Sequence, residues 1–235
     1  LLVTLSAGAR LHSLAPETYE ELGRVKVGND PRGLVMAQGR AWTYVWLDDV
    51  IAGTPFPVSN ATDEDVLKVT IGQDPTPDDI RAGQRIFNDG DFSKFGAFSC
   101  NNCHVDGLTD GLVWDILVDG PVNTPAFRNI GGTGPFLWGG FLPTLFDFSR
   151  EVLKLVGADA TGEEMELLTL YMQSVTAPPN PYALPGGKLS PQGLLGKEVF
   201  ENQAKCVSCH SGPLFTNQQT VEGKTPGLDT DVPAL

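Results

Sequence analysis

At 235 residues, with 41% apolar or aromatic and 19% charged side chains, the chain is long enough for more than one buried core and is no disordered polymer. Its 29 acidic and 16 basic residues leave a formal charge of −13, which would repel nucleic-acid phosphate and an anionic membrane surface. With 27 Gly and 18 Pro the chain is turn-rich, long unbroken helices are not expected, and no apolar run approaches the roughly 20 residues of a membrane helix.

The first part of the chain reads as strands. Strand-like stretches run from Gly33 to Ala37 and from Ala41 to Val50, the latter rich in Trp42, Tyr44, Val45 and Trp46. Val25-Lys26-Val27-Gly28-Asn29-Asp30-Pro31 is echoed 44 residues on by Lys68-Val69-Thr70-Ile71-Gly72-Gln73-Asp74-Pro75. That period suits one four-stranded propeller blade. A lone blade cannot bury both faces, so residues 1–75 are expected to be a partial β-propeller segment. Asp63, Glu64 and Asp65 read as a solvated turn.

Thr76-Pro77-Asp78-Asp79 predicts a helix start, with Thr76 as capping hydroxyl, and the helix continues through Gly83-Gln84-Arg85-Ile86-Phe87. Cys100-Asn101-Asn102-Cys103-His104 follows. Thr161 and Glu164 have the spacing of a capping box, and Leu167, Leu168, Tyr171 and Val175 give the helix after them an apolar stripe. Ala177-Pro178-Pro179-Asn180-Pro181 ends it and begins a linker to Gly186-Gly187. Ser190-Pro191 then opens a further helix through Gly196-Lys197-Glu198-Val199-Phe200, ahead of Cys206-Val207-Ser208-Cys209-His210.

The two C-x-x-C-H pentapeptides use all four cysteines and two of the three histidines. A disulfide would leave the histidines unexplained, zinc would need both clusters to converge, and no βαβ pattern frames a thioredoxin-like pair. Two thiols on one turn can form thioethers to the vinyl groups of one porphyrin, with the adjacent imidazole as iron ligand. The expected cofactors are therefore two covalent haems c, held by Cys100, Cys103 and His104 and by Cys206, Cys209 and His210. Thioether attachment places the protein outside the bacterial cytoplasm, in the periplasm or exported. Leu1-Leu2-Val3 shows no signal peptide.

Ser99 to Gly107, Asn123 to Ile130 and Pro135 to Gly140 resemble the inter-haem region of the dihaem cytochrome c peroxidase and methylamine-utilisation (MauG-like) superfamily. Ser190 to Asn217 resembles the start of its second haem domain. The segment before Pro77 is similar to the YVTN-type propeller repeats fused to some of these domains. Where the family often has Trp-Asp-Gly-Arg this chain has Trp138-Gly139-Gly140-Phe141, so a role for that Asp or Arg is lost. The closing Asp231-Val232-Pro233-Ala234-Leu235 resembles a stretch that in the family runs on to an axial ligand. The resemblance implies a mainly α fold of two cytochrome c-like haem domains, residues 76–180 and an incomplete 181–235, behind the propeller segment.

Function then turns on the far side of each iron. No methionine or histidine lies between His104 and the helix at Thr161; Met165 and Met172 on that helix are the candidate sixth ligands, against a core role usual for such methionines. Met36, among the strands, has the same bias, and His12 reads as a surface histidine. Glu164 beside Met165 is the candidate catalytic acid, loosely matching a Glu-Met pair of the family, with Glu151 a weaker one. Trp114 and Trp138 flank the loop between the haem motifs and are candidate electron relays or core residues. Arg128 is a candidate haem-propionate ligand. The family implies a calcium site, for which no ligand spacing is visible. The expected activity is electron transfer through two haems; the alternative is peroxide reduction, or a MauG-like oxidation, at the first haem. A basic redox partner suits the acidic surface, and other chains are candidates to complete the propeller and the second haem domain.

Overall fold

The computed structural model describes residues 1–94, 96, 98–115, 120–222 and 229–231. Val232 to Leu235, part of the closing stretch compared with the family above, lie outside them. Residues 1–70 form two antiparallel sheets. β1 (Leu2–Leu5), β2 (Arg10–Leu14) and β3 (Glu21–Lys26) make a three-stranded meander. β4 (Pro31–Ala37), β5 (Arg40–Val45), β6 (Val50–Pro55) and β7 (Leu67–Thr70) make a four-stranded one.

Alternation along the strands decides which face is buried. In β5, Ala41, Thr43 and Val45 are buried while Trp42 and Tyr44 point to the opposite face. The ladder sets Tyr44 opposite Ile51 and Ile51 opposite Val69, with Trp42 opposite Gly53 and Gly53 opposite Leu67. A glycine is required at 53, because a Cβ there would stand 2.6 Å from the Trp42 ring. The inner faces of both sheets share one core of Leu11, Val25, Val27, Ala41, Val45, Ala52 and Val58. The outer face of the second sheet leaves Val35, Tyr44, Ile51, Leu67 and Val69 exposed.

The expected strand over residues 41–50 is two strands. A 3-10 turn at Trp46–Asp48, closed by Asp49 at φ 54°, separates β5 from β6. Helix α1 (Asp78–Asn88) begins as expected, yet Pro77 holds the cap position with no capping side chain, and the Thr76 amide instead donates to Asp74 Oδ1 at 2.8 Å. Arg81 fastens this helix to the sheets. It is 5% exposed and donates to Asp74 Oδ2 at 2.5 Å, Asp49 Oδ2 at 3.1 Å and the Trp46 carbonyl at 3.2 Å.

After the single helical turn α2 (Cys100–Cys103) come the short ribbon β8 (Val113–Trp114) with β9 (Val122–Asn123), then α3 (Leu145–Leu155), α4 (Gly162–Ser174) and α5 (Pro191–Glu198). α5 runs on into a five-residue π turn, Val199–Gln203, and β10 (Thr220–Glu222) pairs with β11 (Asp229–Asp231). The α4 cap is the box expected: the Thr161 amide and hydroxyl reach Glu164 Oε2 at 2.7 and 2.9 Å. Ser190 caps α5 by accepting from the Gly193 amide at 3.1 Å. α3 was not expected; its cap is Thr144, whose hydroxyl accepts from the Asp147 amide at 3.1 Å.

The chain is therefore not mainly α. Helix accounts for 33% of it and strand for 22%, because five helices of 13 residues or fewer alternate with turns while the N-terminal third is all strand. Nor do two haem domains emerge in sequence order. The compact units are Leu1–Asp106 with Val152–Leu168, and Gly107–Glu151 with Thr169–Leu235. The first C-x-x-C-H turn shares its unit with both sheets, and α3 and α4 each contribute residues to both units. Two sheets of three and four strands do not by themselves make a propeller. Among the described residues no helix is long and apolar enough to cross a membrane.

Candidate haem-attachment sites

The first pentapeptide is one helical turn with its own local support. Ser99 opens it: its amide and hydroxyl reach Asn102 Oδ1 at 2.6 and 3.0 Å, a capping box written inside the motif. The His104 amide closes the turn on the Cys100 carbonyl at 2.9 Å. Cys100 and Cys103 stand in i, i+3 relation on this turn, and His104 follows as its cap at φ −104° and ψ 56°. No disulfide joins any of the four cysteines, and all are half-buried. Burial pushes the Cys100 thiol up to about 12, with the neighbouring Cys103 adding to the rise.

Asp106 ends this turn in the left-handed region at φ 52°, its amide donating to Asn101 Oδ1 at 2.9 Å. Its carboxylate receives Arg32 Nη2 at 2.8 Å. Burial works to lower the Arg32 pKa, but hydrogen bonds and opposite charge from Asp30 and Asp106 hold it above the ordinary arginine value. Arg32 did not stand out in the sequence, where it is one basic residue on a strand.

The second pentapeptide is a 3-10 turn, Cys206–Ser208, entered through Lys205 at φ 56°. The His210 amide reaches the Cys206 carbonyl and the Asn217 amide the Cys209 carbonyl, both at 2.9 Å. His210 Nδ1 lies 3.0 Å from the Phe215 carbonyl oxygen. A carbonyl only accepts, so Nδ1 is the donor here, and Nε2 is the ring nitrogen left to ligate a metal. Phe215, at φ 51°, also sets its ring edge-on to Phe200, centroids 5.9 Å apart and planes at 76°. The sequence contains this loop as His210-Ser211-Gly212-Pro213-Leu214-Phe215, but the carbonyl partner does not show in residue types.

Both clusters thus suit a porphyrin held by two thioethers and one imidazole. The remaining candidates are placed as follows. Trp114 Nε1 donates to Asp110 Oδ2 at 2.8 Å, and Trp138 Nε1 to the Asn123 carbonyl at 2.8 Å. Arg128 and Met165 are half-buried. Met172 is 1% exposed, on the same stripe of α4 as the buried Leu168. Glu164 spends its carboxylate on the α4 cap described above. His12 Nδ1 meets Glu21 Oε2 at 2.8 Å on the first sheet. Among the described residues no three His, Cys, Asp or Glu side chains gather as a metal site.

No family model matches the chain. It is 27% identical over 164 residues to the hydrazine synthase gamma subunit of Kuenenia stuttgartiensis, a match covering 60% of this chain and 46% of the relative. The chain spans about half the length of that curated relative. Among solved structures, a chain of Kuenenia stuttgartiensis hydrazine synthase pressurised with 20 bar xenon aligns with a TM-score of 0.53 and 27% identity, covering 65% of this chain and 56% of that one. A MauG-like protein associated with microbial copper homeostasis aligns at 0.47 with 19% identity, over 68% and 56% of the respective chains, a score at which two chains need not share a fold.

Proposed function

We propose that the protein is an exported c-type haem protein of the dihaem peroxidase and MauG-like group, and that it transfers electrons through haems attached at Cys100/Cys103 and Cys206/Cys209. The observation that carries this reading is the pair of pentapeptide turns. Each holds two thiols outside any disulfide and a histidine on one short turn, and in the second the Phe215 carbonyl orients the histidine through Nδ1. The similarity to the hydrazine synthase gamma subunit supports a redox role.

Bound haem would supply an iron that changes oxidation state by one electron. The chain's own part is to hold it. Cys100, Cys103, Cys206 and Cys209 would fix the two porphyrin edges, His104 and His210 would ligate, and the Phe215 carbonyl would keep the His210 ring oriented and its Nε2 basic. Met165 and Met172 remain the candidates for a sixth ligand, Trp114 and Trp138 for relays, and Arg128 for a propionate partner. The charge of −13 favours a basic redox partner. Peroxide reduction is the weaker alternative: it needs a group that moves a proton between the two oxygens, and Glu164 is engaged in capping its helix.

The four-stranded sheet is, on this reading, one propeller blade, since a neighbouring sheet would cover its outer row of Tyr44, Ile51, Leu67 and Val69. Ile51→Lys tests that: a loss of about 3 kcal/mol marks a covered face, and one below about 0.5 kcal/mol an open face.

A pyridine haemochrome assay with intact-mass analysis tests the haem reading. Two covalent haems per chain are expected, and one in Cys100→Ser/Cys103→Ser. Protein matured in a host that attaches haem c but carrying no c-type absorption would overturn it.

A further inference from the structure

Arg32 stands on β4, 74 residues before Asp106, yet three groups converge on its guanidinium. Nε and Nη2 reach Asp30 Oδ2 at 2.9 and 2.7 Å. Nη2 also reaches Asp106 Oδ1 at 2.8 Å. The guanidinium plane lies over the Trp46 ring, with Cζ 4.1 Å from its centroid. The Asp30 carboxylate is 1% exposed and Arg32 is two-thirds buried. An exposed ion pair contributes almost nothing because two flexible chains must be ordered in water. Here the arginine is already ordered by a buried carboxylate and an indole, so the further bond to Asp106 costs little extra entropy.

What that bond holds is the end of the first pentapeptide. Asp106 lies two residues beyond His104, and its amide returns to Asn101, inside the C-x-x-C segment. A continuous path therefore runs from buried Asp30 through Arg32 and Asp106 to the turn bearing Cys100, Cys103 and His104. Two residues span at most about 7 Å between Cα atoms, so the short segment that carries His104 also carries the Asp106 carboxylate and, through it, the Arg32 guanidinium.

We propose that Arg32 is a positioning residue for the first haem, fixing the attachment turn through Asp106, and that the opposed charges of Arg32 and Asp106 set the reduction potential of the iron held at His104. This rests on haem being attached at Cys100 and Cys103. It makes the β-sheet segment a working part of that site and not only a neighbouring fold.

The sign follows from charge. Ferric haem carries one more positive charge than ferrous, so nearby negative charge favours oxidation and lowers the midpoint, and positive charge raises it. Arg32→Gln should lower the first-haem midpoint and Asp106→Asn should raise it; the double variant should return towards wild type. A merely structural prop would move both single variants in the same direction, or neither. Arg32→Lys keeps the charge but loses the planar fork and the stacking. It should hold the midpoint while broadening the first-haem electron paramagnetic resonance signal, which reads imidazole orientation.

The experiment is a potentiometric titration of the haem-loaded protein, the first wave being the one absent from Cys100→Ser/Cys103→Ser. Arg32→Gln strips a buried carboxylate of its partner and can fail to fold; Asp106→Asn, at a half-exposed and nearly isosteric position, does not carry that burden. Opposite shifts support the inference. Shifts of one sign, or an unmoved Asp106→Asn wave, overturn it while the attached-haem reading stands. Absence of covalent haem at Cys100 and Cys103 overturns both.

Discussion

Replacing Arg81 by Met, which keeps the length and removes the charge, should unfasten α1 from the sheets. Four hydrogen bonds disappear, to Asp74, Gln84, Asp49 and the Trp46 carbonyl. Breaking a fully buried ion pair costs about 3–5 kcal/mol, because one charge stays behind undressed. Asp74 and Asp49 keep 26% and 28% of their side-chain surface, so water reaches them and part of that cost is returned. Asp74 is held below its ordinary pKa first by the Thr76 hydrogen bonds and only last by the charge of Arg81, so it stays ionised in the variant. The net loss should be about 2 kcal/mol, or roughly 30-fold in the folded-to-unfolded ratio. Urea denaturation followed by tryptophan fluorescence reads it as a lower midpoint at unchanged slope. A loss under about 0.5 kcal/mol would show Arg81 behaving as a surface ion pair and would refute the anchoring argument.

Three further outcomes are expected. Gly53→Ala forces a Cβ to 2.6 Å from the Trp42 ring and should cost about 2 kcal/mol in thermal denaturation; a neutral result would mean the indole swings aside freely. The depressed Asp74 pKa means that the native state binds fewer protons there than the unfolded chain. Its contribution is therefore present above the ordinary value of 3.8 and lost as pH falls through the lowered one. The urea midpoint of Asp74→Asn should thus drop less than wild type between about pH 5 and about pH 3, and an identical drop would remove Asp74 from the acid response. Gly212→Ala meets no atom within 4 Å but sits at φ 70°, so it should cost about 1 kcal/mol of local strain. If haem is attached at Cys206 and Cys209 as proposed, the variant should broaden the magnetic resonance signal of that haem alone; an unaltered signal would show that the His210–Phe215 loop does not orient the ligand.

The parts legible in the sequence are those fixed by neighbours along the chain. Thr161 and Glu164 are three residues apart, and their capping box forms as expected. Ser190-Pro191 opens α5 by the same local logic. The aromatic and β-branched residues from Ala41 on foretell a strand, but not the 3-10 turn at Trp46–Asp48 that divides it, where Asp49 adopts a left-handed conformation open to many aspartates and required of few. Thr76 misleads because its amide and its side chain both turn back to Asp74, two residues earlier, which leaves Pro77 at the cap position. The mainly α expectation fails because a haem motif says what a turn will hold and little about the architecture around it. Here the first motif sits in the unit that contains both sheets.

The two candidate attachment turns show the same division between local and distant support. His210 takes its partner from Phe215, five residues on, so any chain that closes this loop with Gly212 and Phe215 left-handed carries the orienting carbonyl with it. The first turn has a local half, the Ser99–Asn102 box and the Asn101–Asp106 bond, and a distant half, the Arg32 contact from β4. Nothing in the residues around Cys100 announces that second half, since an aspartate two places after a histidine is as readily solvated as paired. The second site can therefore be judged from its own dozen residues, whereas the first depends on whether the sheets fold. Loss of the β4–β7 sheet should disturb the turn at Cys100 and leave the local bonds at Cys206 intact. That asymmetry is open to test by comparing hydrogen exchange of the His104 and His210 amides under mild denaturant: the His104 amide should exchange together with the strands, and equal behaviour of the two would contradict the dependence on Arg32.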